Sequence, residues 1–279
     1  MTKIFACPHK ATVPRYTTQV IFQQIEWKKM TRIIVTNDDG VQAPGVLALA
    51  QAMRTLGEVH VAAPSRNQSA TGHKKTLFQD IQVDEVTLAD GSTATSVDGS
   101  PADCIALCAL GLTDWPPDLV VSGINRGSNM AQDITYSGTV TAALESAING
   151  VPAVAVSLDH RDANHVEDYA EAARVAVEVV KIVLQKSIPQ LTILNLNIPN
   201  VQRVKGIRLT RQGVRIYRDE LHRKGNIMRI QGPEPLGEFQ HEATDIWAIH
   251  HGYASLTPIH LDLTAHHFMA DLAAWDLMV

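Results

Sequence analysis

Short apolar runs alternate with helical patterns from residue 31 onward, and this alternation most narrows what the chain can fold into. Strand-like runs stand at Arg32–Thr36, Glu58–Ala63, Asp118–Ser122, Pro152–Ser157 and Leu191–Asn197. The stretches between them carry helical periodicity, which implies parallel βαβ units. The expected class is α/β: a Rossmann-like, three-layer fold with a mostly parallel sheet. The first run, Ile33-Ile34-Val35-Thr36, leads straight into Asn37-Asp38-Asp39-Gly40, and a helix pattern begins at Pro44. Two adjacent carboxylates therefore sit in a βα turn, the place where open α/β sheets build their ligand sites.

The helix Pro44–Leu56 is expected to close at Gly57, a favoured residue just past a helix end. Ser100-Pro101-Ala102-Asp103 reads as a capped helix start, with Ser100 as N-cap and Asp103 completing a capping box. A further helix is expected over Thr139–Ile148, and a long one over His165–Leu184 with Asn164 as its cap. After Gly206 the character changes. Ile207–Thr210 and Val214–Tyr217 alternate apolar and polar residues as half-exposed antiparallel strands do. The polar interval Asp219–Asn226 separates them from Ile227–Ile230. The chain thus divides into an extension (1–30), a catalytic core (31–200) and a β-rich arm and tail (201–279) that completes the core.

The extension carries Lys3, Lys10, Arg15, Lys28 and Lys29 against Glu26 and lacks the apolar core of a secretory signal. It is expected to be poorly ordered. An upstream start codon ahead of Met30 is the reading adopted for it, and an organellar presequence the alternative. The net charge of −5 gives no electrostatic footprint for a nucleic acid duplex. No apolar run reaches the roughly 20 residues that span a bilayer. Cys104 and Cys108, four apart on an apolar stretch, read as buried core thiols; with Cys7 they make an odd count that frames no disulfides, so a reducing cytoplasm is expected.

Three loops follow three of the strands: Asn37–Gly40, Pro64–Gly72 and Gly123–Asn129. In a parallel sheet they meet at one edge, where Asp38, Asp39, Ser69 and Asn125 would offer two carboxylates, a hydroxyl and an amide oxygen. That is a shell for one hard divalent cation such as Mg²⁺ or Ca²⁺. Tyr136-Ser137-Gly138-Thr139-Val140 opens a helix, whose free N–H groups suit an anion. A cation beside an anion cradle is what phosphoryl chemistry needs. Neither a P-loop nor a dinucleotide fingerprint is present.

The blocks IIVTNDDGVQAPGVLAL, VAAPSRNQSATG, SVDGSPADC, PDLVVSGINRGSN, YSGTVTAALESAINGVPAVAVS and GYASLTPIHLDLTA, in this order, resemble the SurE family of survival proteins, metal-dependent 5′/3′-nucleotidases. The resemblance implies metal ligands at Asp38, Asp39, Ser69 and Asn125, with Asp38, Asp39 and Asn125 carrying the catalysis. It implies a substrate side at Asn37, Gly123, Gly127, Ser128 and Asn129 and at Ser137, Gly138 and Thr139. It adds Mn²⁺ and Co²⁺ to the candidate cations. It further implies nucleoside monophosphates, and other phosphate esters, as substrates, and a homodimer or homotetramer that exchanges C-terminal elements. Where the family usually reads Glu-Gly-Thr-Asp, this chain has Glu242-Ala243-Thr244-Asp245. If that position needs a positive φ, Ala243 is strained.

Two other classes compete. A receiver-like signalling module also places paired acids after its first strand, but it wants an acceptor Asp after the third, where this chain has Asn125 and Arg126. A nucleotide-binding protein without catalysis is the other. The doublets His250-His251 and His266-His267 are expected on strands, with surface or packing roles; His73, beside Gly72 in the second loop, is the better candidate to approach substrate.

Overall fold

In a strand that pairs on both sides, Ile33 and Val35 face one way and Ile34 the other. In the computed structural model all three are buried, Ile33 and Val35 in one core cluster and Ile34 in a second. This is why the strand reads as a continuous apolar run rather than an alternating one. The structure describes residues 30–233, 235–237 and 239–275. The extension before Met30, with Cys7, lies outside the described residues.

In chain order the elements are β1 (Arg32–Thr36), α1 (Pro44–Met53), β2 (Glu58–Pro64), β3 (Val83–Thr87), β4 (Thr93–Val97), α2 (Pro101–Leu107), β5 (Leu119–Arg126), α3 (Gly138–Ile148), β6 (Ala153–Asp159), α4 (Ala170–Val183), β7 (Thr192–Pro199), β8 (Ile207–Leu209), β9 (Arg215–Ile216), β10 (Glu220–Lys224), β11 (Ile227–Gln231), β12 (Leu236–Gly237), α5 (Asp245–His250), β13 (Ala254–His260) and α6 (His266–Ala273). Nine strands form one sheet in the order β3-β4-β2-β1-β5-β6-β7-β13-β8. β4, β2, β1, β5, β6 and β7 run parallel, while β3 and β13 join antiparallel. α1 and α4 cover one face, with Val46, Leu49, Val175 and Val179 in the larger cluster. α2 and α3 cover the other through Ile105, Val140 and Ala143, joined by Cys108 just past the end of α2. The result is a three-layer, Rossmann-like α/β fold.

The five expected strands and four expected helices are all present, the first strand with the expected ends and most of the others shifted at one or both ends. Ser100 caps α2 and Asp103 closes the capping box, and Cys104 and Cys108 are buried free thiols. Several details differ. α1 stops at Met53, with Arg54 at its C-cap, so Gly57 lies beyond the helix and packs against the Thr31 carbonyl. The long helix starts as a 3₁₀ turn (Val166–Tyr169) with His165, not Asn164, at the N-cap; Asp168 accepts from the N–H groups of both. β8 joins β13 in parallel, because the chain re-enters the sheet beside β13 instead of folding back on itself. β9 pairs antiparallel with β12. Glu220–Lys224, expected within a polar interval, is the strand that pairs with β11. His250 ends helix α5 and His251 follows it, so this doublet is not on a strand; neither is His266-His267, which begins α6.

Candidate active site

Neighbouring crossovers leave β1 in opposite directions, towards β2 on one side and β5 on the other. Open α/β sheets bind ligands outside the carboxyl end of such a switch point. Asp38 and Asp39 come directly off β1 there, and Asn125 lies near the end of β5. Asn37 is buried and braces the turn: its amide donates to the Gly40 carbonyl at 3.0 Å and accepts from the Gly40 N–H at 3.3 Å.

Asp38 is 3% exposed and receives the Thr139 hydroxyl at 2.6 Å, so its carboxylate lies at the first turn of α3. The fit is close enough that a Cβ on Gly138 would stand 2.7 Å from the Asp38 Cβ, which leaves glycine as the residue that fits. Burial pushes the Asp38 carboxyl up to about 6, against the Thr139 hydroxyl and with help from the charge of Asp39. Asp39 is half-buried, and burial raises its pKa too, opposed by the Arg126 N–H that donates to it at 3.0 Å. Ser137 caps α3, its Oγ accepting from the Val140 N–H at 3.1 Å.

The second loop reaches the same edge. The Gln68 N–H donates to the Asp38 carbonyl at 2.7 Å, and the Gly72 N–H to the Tyr136 carbonyl at 3.0 Å. Ser69 is exposed; its N–H is held by the Asn67 side chain, and its hydroxyl has no hydrogen bond among the described residues. In the third loop the Asn125 Nδ2 donates to the Gly127 carbonyl at 2.8 Å, which directs the donor end of the amide there. Gly123 has φ 139°, and a Cβ on it would meet the Val156 carbonyl at 2.2 Å, so the loop lies flat on β6. Ser128 is committed to Asp159 and Arg215, and buried Asn129 to Ser157, Asn195 and Asn197. These two lock the loop to its neighbours. The structure thus gathers Asp38, Asp39, Ser69, Asn125, Gly138 and Thr139 around one edge, and sets Asn37, Ser128 and Asn129 to bracing it.

Among the described residues no three His, Cys, Asp or Glu side chains come together as a metal centre. A cation at this edge would find two carboxylates and neutral oxygens among the described residues. The donor set fits a hard divalent ion: Asp38 is buried beside a second carboxylate with one hydroxyl and, among the described residues, no basic side chain within ion-pair distance.

Some structural supports were not expected from the sequence. Buried Asp245 accepts from the N–H groups of Ala131, Gly213 and Ile246, tying the segment after the third loop to the root of the arm. Arg215, on β9, pairs with Asp133 at 3.0 Å and reaches Ser128 at 2.9 Å. Both partners lie more than 80 residues away in sequence, and no local pattern marks such a pair.

Residues 33–219 match the sequence profile of the family described as survival protein SurE. The chain is 48% identical over 252 residues to the 5′-nucleotidase SurE of Chloroflexus aggregans, covering 88% of this chain and 98% of that one. It is 44% identical over 257 residues to the 5′-nucleotidase SurE of Syntrophotalea carbinolica, covering 88% and 97%. The crystal structure of the SurE protein from Aquifex aeolicus superposes with a TM-score of 0.75 at 40% identity, covering 86% of this chain and 98% of that one.

Proposed function

The chain belongs to the SurE family, and from that premise we propose that it is a metal-dependent phosphomonoesterase that hydrolyses nucleoside 5′- and 3′-monophosphates to nucleoside and phosphate. The observation that carries the reading is buried Asp38, whose carboxyl is raised to about 6 beside a second carboxylate at the sheet's switch point. A lone structural turn has no reason to bear that cost, whereas a cation and a phosphate arriving together relieve it. The 5′-nucleotidase relatives support the substrate class.

In this reading Asp38, Asp39, Ser69 and Asn125 hold one divalent cation. The cation supplies charge neutralisation at the phosphoryl group and lowers the pKa of a water. Asp38 stands as nucleophile or base, oriented by Thr139. Asp39 is held in place by the Arg126 N–H. The start of α3 at Gly138 and Thr139 faces the phosphate with its N–H groups. Exposed Ile227 and Ile230 on the arm support exchange of C-terminal elements in a homodimer or homotetramer.

Turnover of nucleoside monophosphates and of p-nitrophenyl phosphate, with and without chelator, tests the activity. Release of phosphate that stops with EDTA and returns with Mn²⁺ is the expected result. Asp38→Asn is expected to lower kcat by about 10³-fold, and undiminished turnover would remove Asp38 from its role. The same variant has a stability signature in EDTA. A folded pKa above the unfolded value favours the native state at low pH, and that advantage is lost as pH rises through about 6. Asp38→Asn therefore melts higher than wild type at pH 8, and the difference shrinks steadily as pH falls through 6 towards 4.

A further inference from the structure

The strap Gly72–Thr76 has no regular secondary structure, yet it is sewn to two helices. Side chains two apart on an extended strap share a side, and His73 and Lys75 both reach one carboxylate, Glu145 in the middle of α3, at 3.1 and 2.8 Å. Between them the Lys74 carbonyl accepts from the Ser100 hydroxyl at 2.6 Å. Beyond them the Thr76 N–H and hydroxyl both donate to Asp103. A slip of one residue would turn Lys74 towards Glu145 and break every one of these contacts, so the pattern sets a register.

Glu145 is 3% exposed and makes no ion pair within its own helix. Burial opposes its ionisation, but His73, Lys75 and Asn149 outweigh it and hold the carboxyl down at about 2. An apolar side chain at this place would stabilise α3 at least as well as a buried ion pair does. The carboxylate is thus better explained by what it grips. What it grips continues directly from the Ser69 loop, which is strained at Ala70 (φ 59°) and is otherwise fastened by the Gln68 N–H to Asp38 and by Gly72 to Tyr136 and Thr141.

We propose that Glu145 is a positioning residue for the cation site: by gripping His73 and Lys75 it holds the Ser69 loop against Asp38 and Asp39. Because α3 also presents Thr139 to Asp38, one helix sets both halves of the site. The inference rests on the reading of Ser69 as a cation ligand.

Two measurements on the full chain test it: Mn²⁺ binding by calorimetry, and amide exchange of residues 68–76. Glu145→Gln and the surface variant Lys75→Met are each expected to weaken Mn²⁺ binding by about tenfold and to speed exchange across 68–76. Exchange in α3 stays at the wild-type rate, and kcat at saturating Mn²⁺ stays within about twofold. Lys75→Arg restores both readouts. Val179→Ala, a core substitution in the opposite layer, lowers the melting temperature and leaves both readouts unchanged. Wild-type exchange at 68–76 in Lys75→Met overturns the clamp. Faster exchange with unchanged Mn²⁺ affinity overturns its link to the cation. If the wild type itself binds no Mn²⁺, the metal reading fails and with it the positioning role, whatever the exchange shows.

Discussion

The sheet core and the β10–β11 hairpin are both built of paired strands and have opposite surroundings. In β1, β5, β6 and β7 the apolar side chains of both faces are covered by helices, and Leu119, Val121, Val154 and Leu196 have no exposure. In the hairpin every residue is exposed, with Leu221 at 64%, Ile227 at 73% and Ile230 at 77%. A two-stranded ribbon standing alone is marginal in water, and apolar side chains left this open suit an interaction surface. The core draws its stability from within the chain, whereas under the proposed exchange of C-terminal elements the hairpin would draw it from a second copy. A second copy of the chain, gripping through the arm, is the occupant consistent with the proposed exchange of C-terminal elements.

This contrast can be broken by paired substitutions. Leu196→Ala, in the core, is expected to cost about 2–5 kcal/mol in denaturant unfolding. Ile230→Ala, in dilute protein, is expected to change stability by no more than about 0.5 kcal/mol. Comparable losses at both places would mean that the hairpin is buried within its own protomer. Next in size is assembly. Ile227→Asp with Ile230→Asp places two charges on the exposed ribbon and is expected to yield a monomer by light scattering, with a melting temperature that no longer rises with concentration. A variant that keeps the wild-type mass would take the arm out of the interface.

The same contrast explains what could be read before the structure. β1 and the capped start of α2 were legible because their signals are local: an apolar run, a Ser-Pro-x-Asp cap. Asp38 and Asp39 were legible because two adjacent acids at a strand end are conspicuous. The clamp at Glu145 was not, since His73 and Lys75 lie about 70 residues away and a glutamate in a helix usually faces water. The arm misled for a related reason. Alternation in Ile207–Thr210 predicts a half-exposed strand, but its partner, β13, is set by where the chain returns to the sheet. Nor does alternation exist in Glu220–Lys224, whose pairing is imposed by β11 across the turn at Gly225.

The smallest effect lies where the arm joins the core. Ala243 has φ 68°, a conformation an L side chain adopts at a cost of about 1–2 kcal/mol. It holds that shape because its carbonyl accepts from the Arg211 N–H at 2.8 Å, and the Asp245 N–H returns a bond to the Arg211 carbonyl at 2.9 Å. These two bonds fasten the segment leading to β9 beside the start of α5. Glycine, the residue the resemblance leads one to expect here, relieves the strain but adds freedom to the unfolded chain, which offsets part of the gain. Ala243→Gly is therefore expected to stabilise by about 0.5–1 kcal/mol and to leave turnover and Mn²⁺ affinity unchanged. Calorimetric melting decides it. A lower melting temperature would show that the backbone at 243 relaxes out of the left-handed region, with the junction held by other contacts.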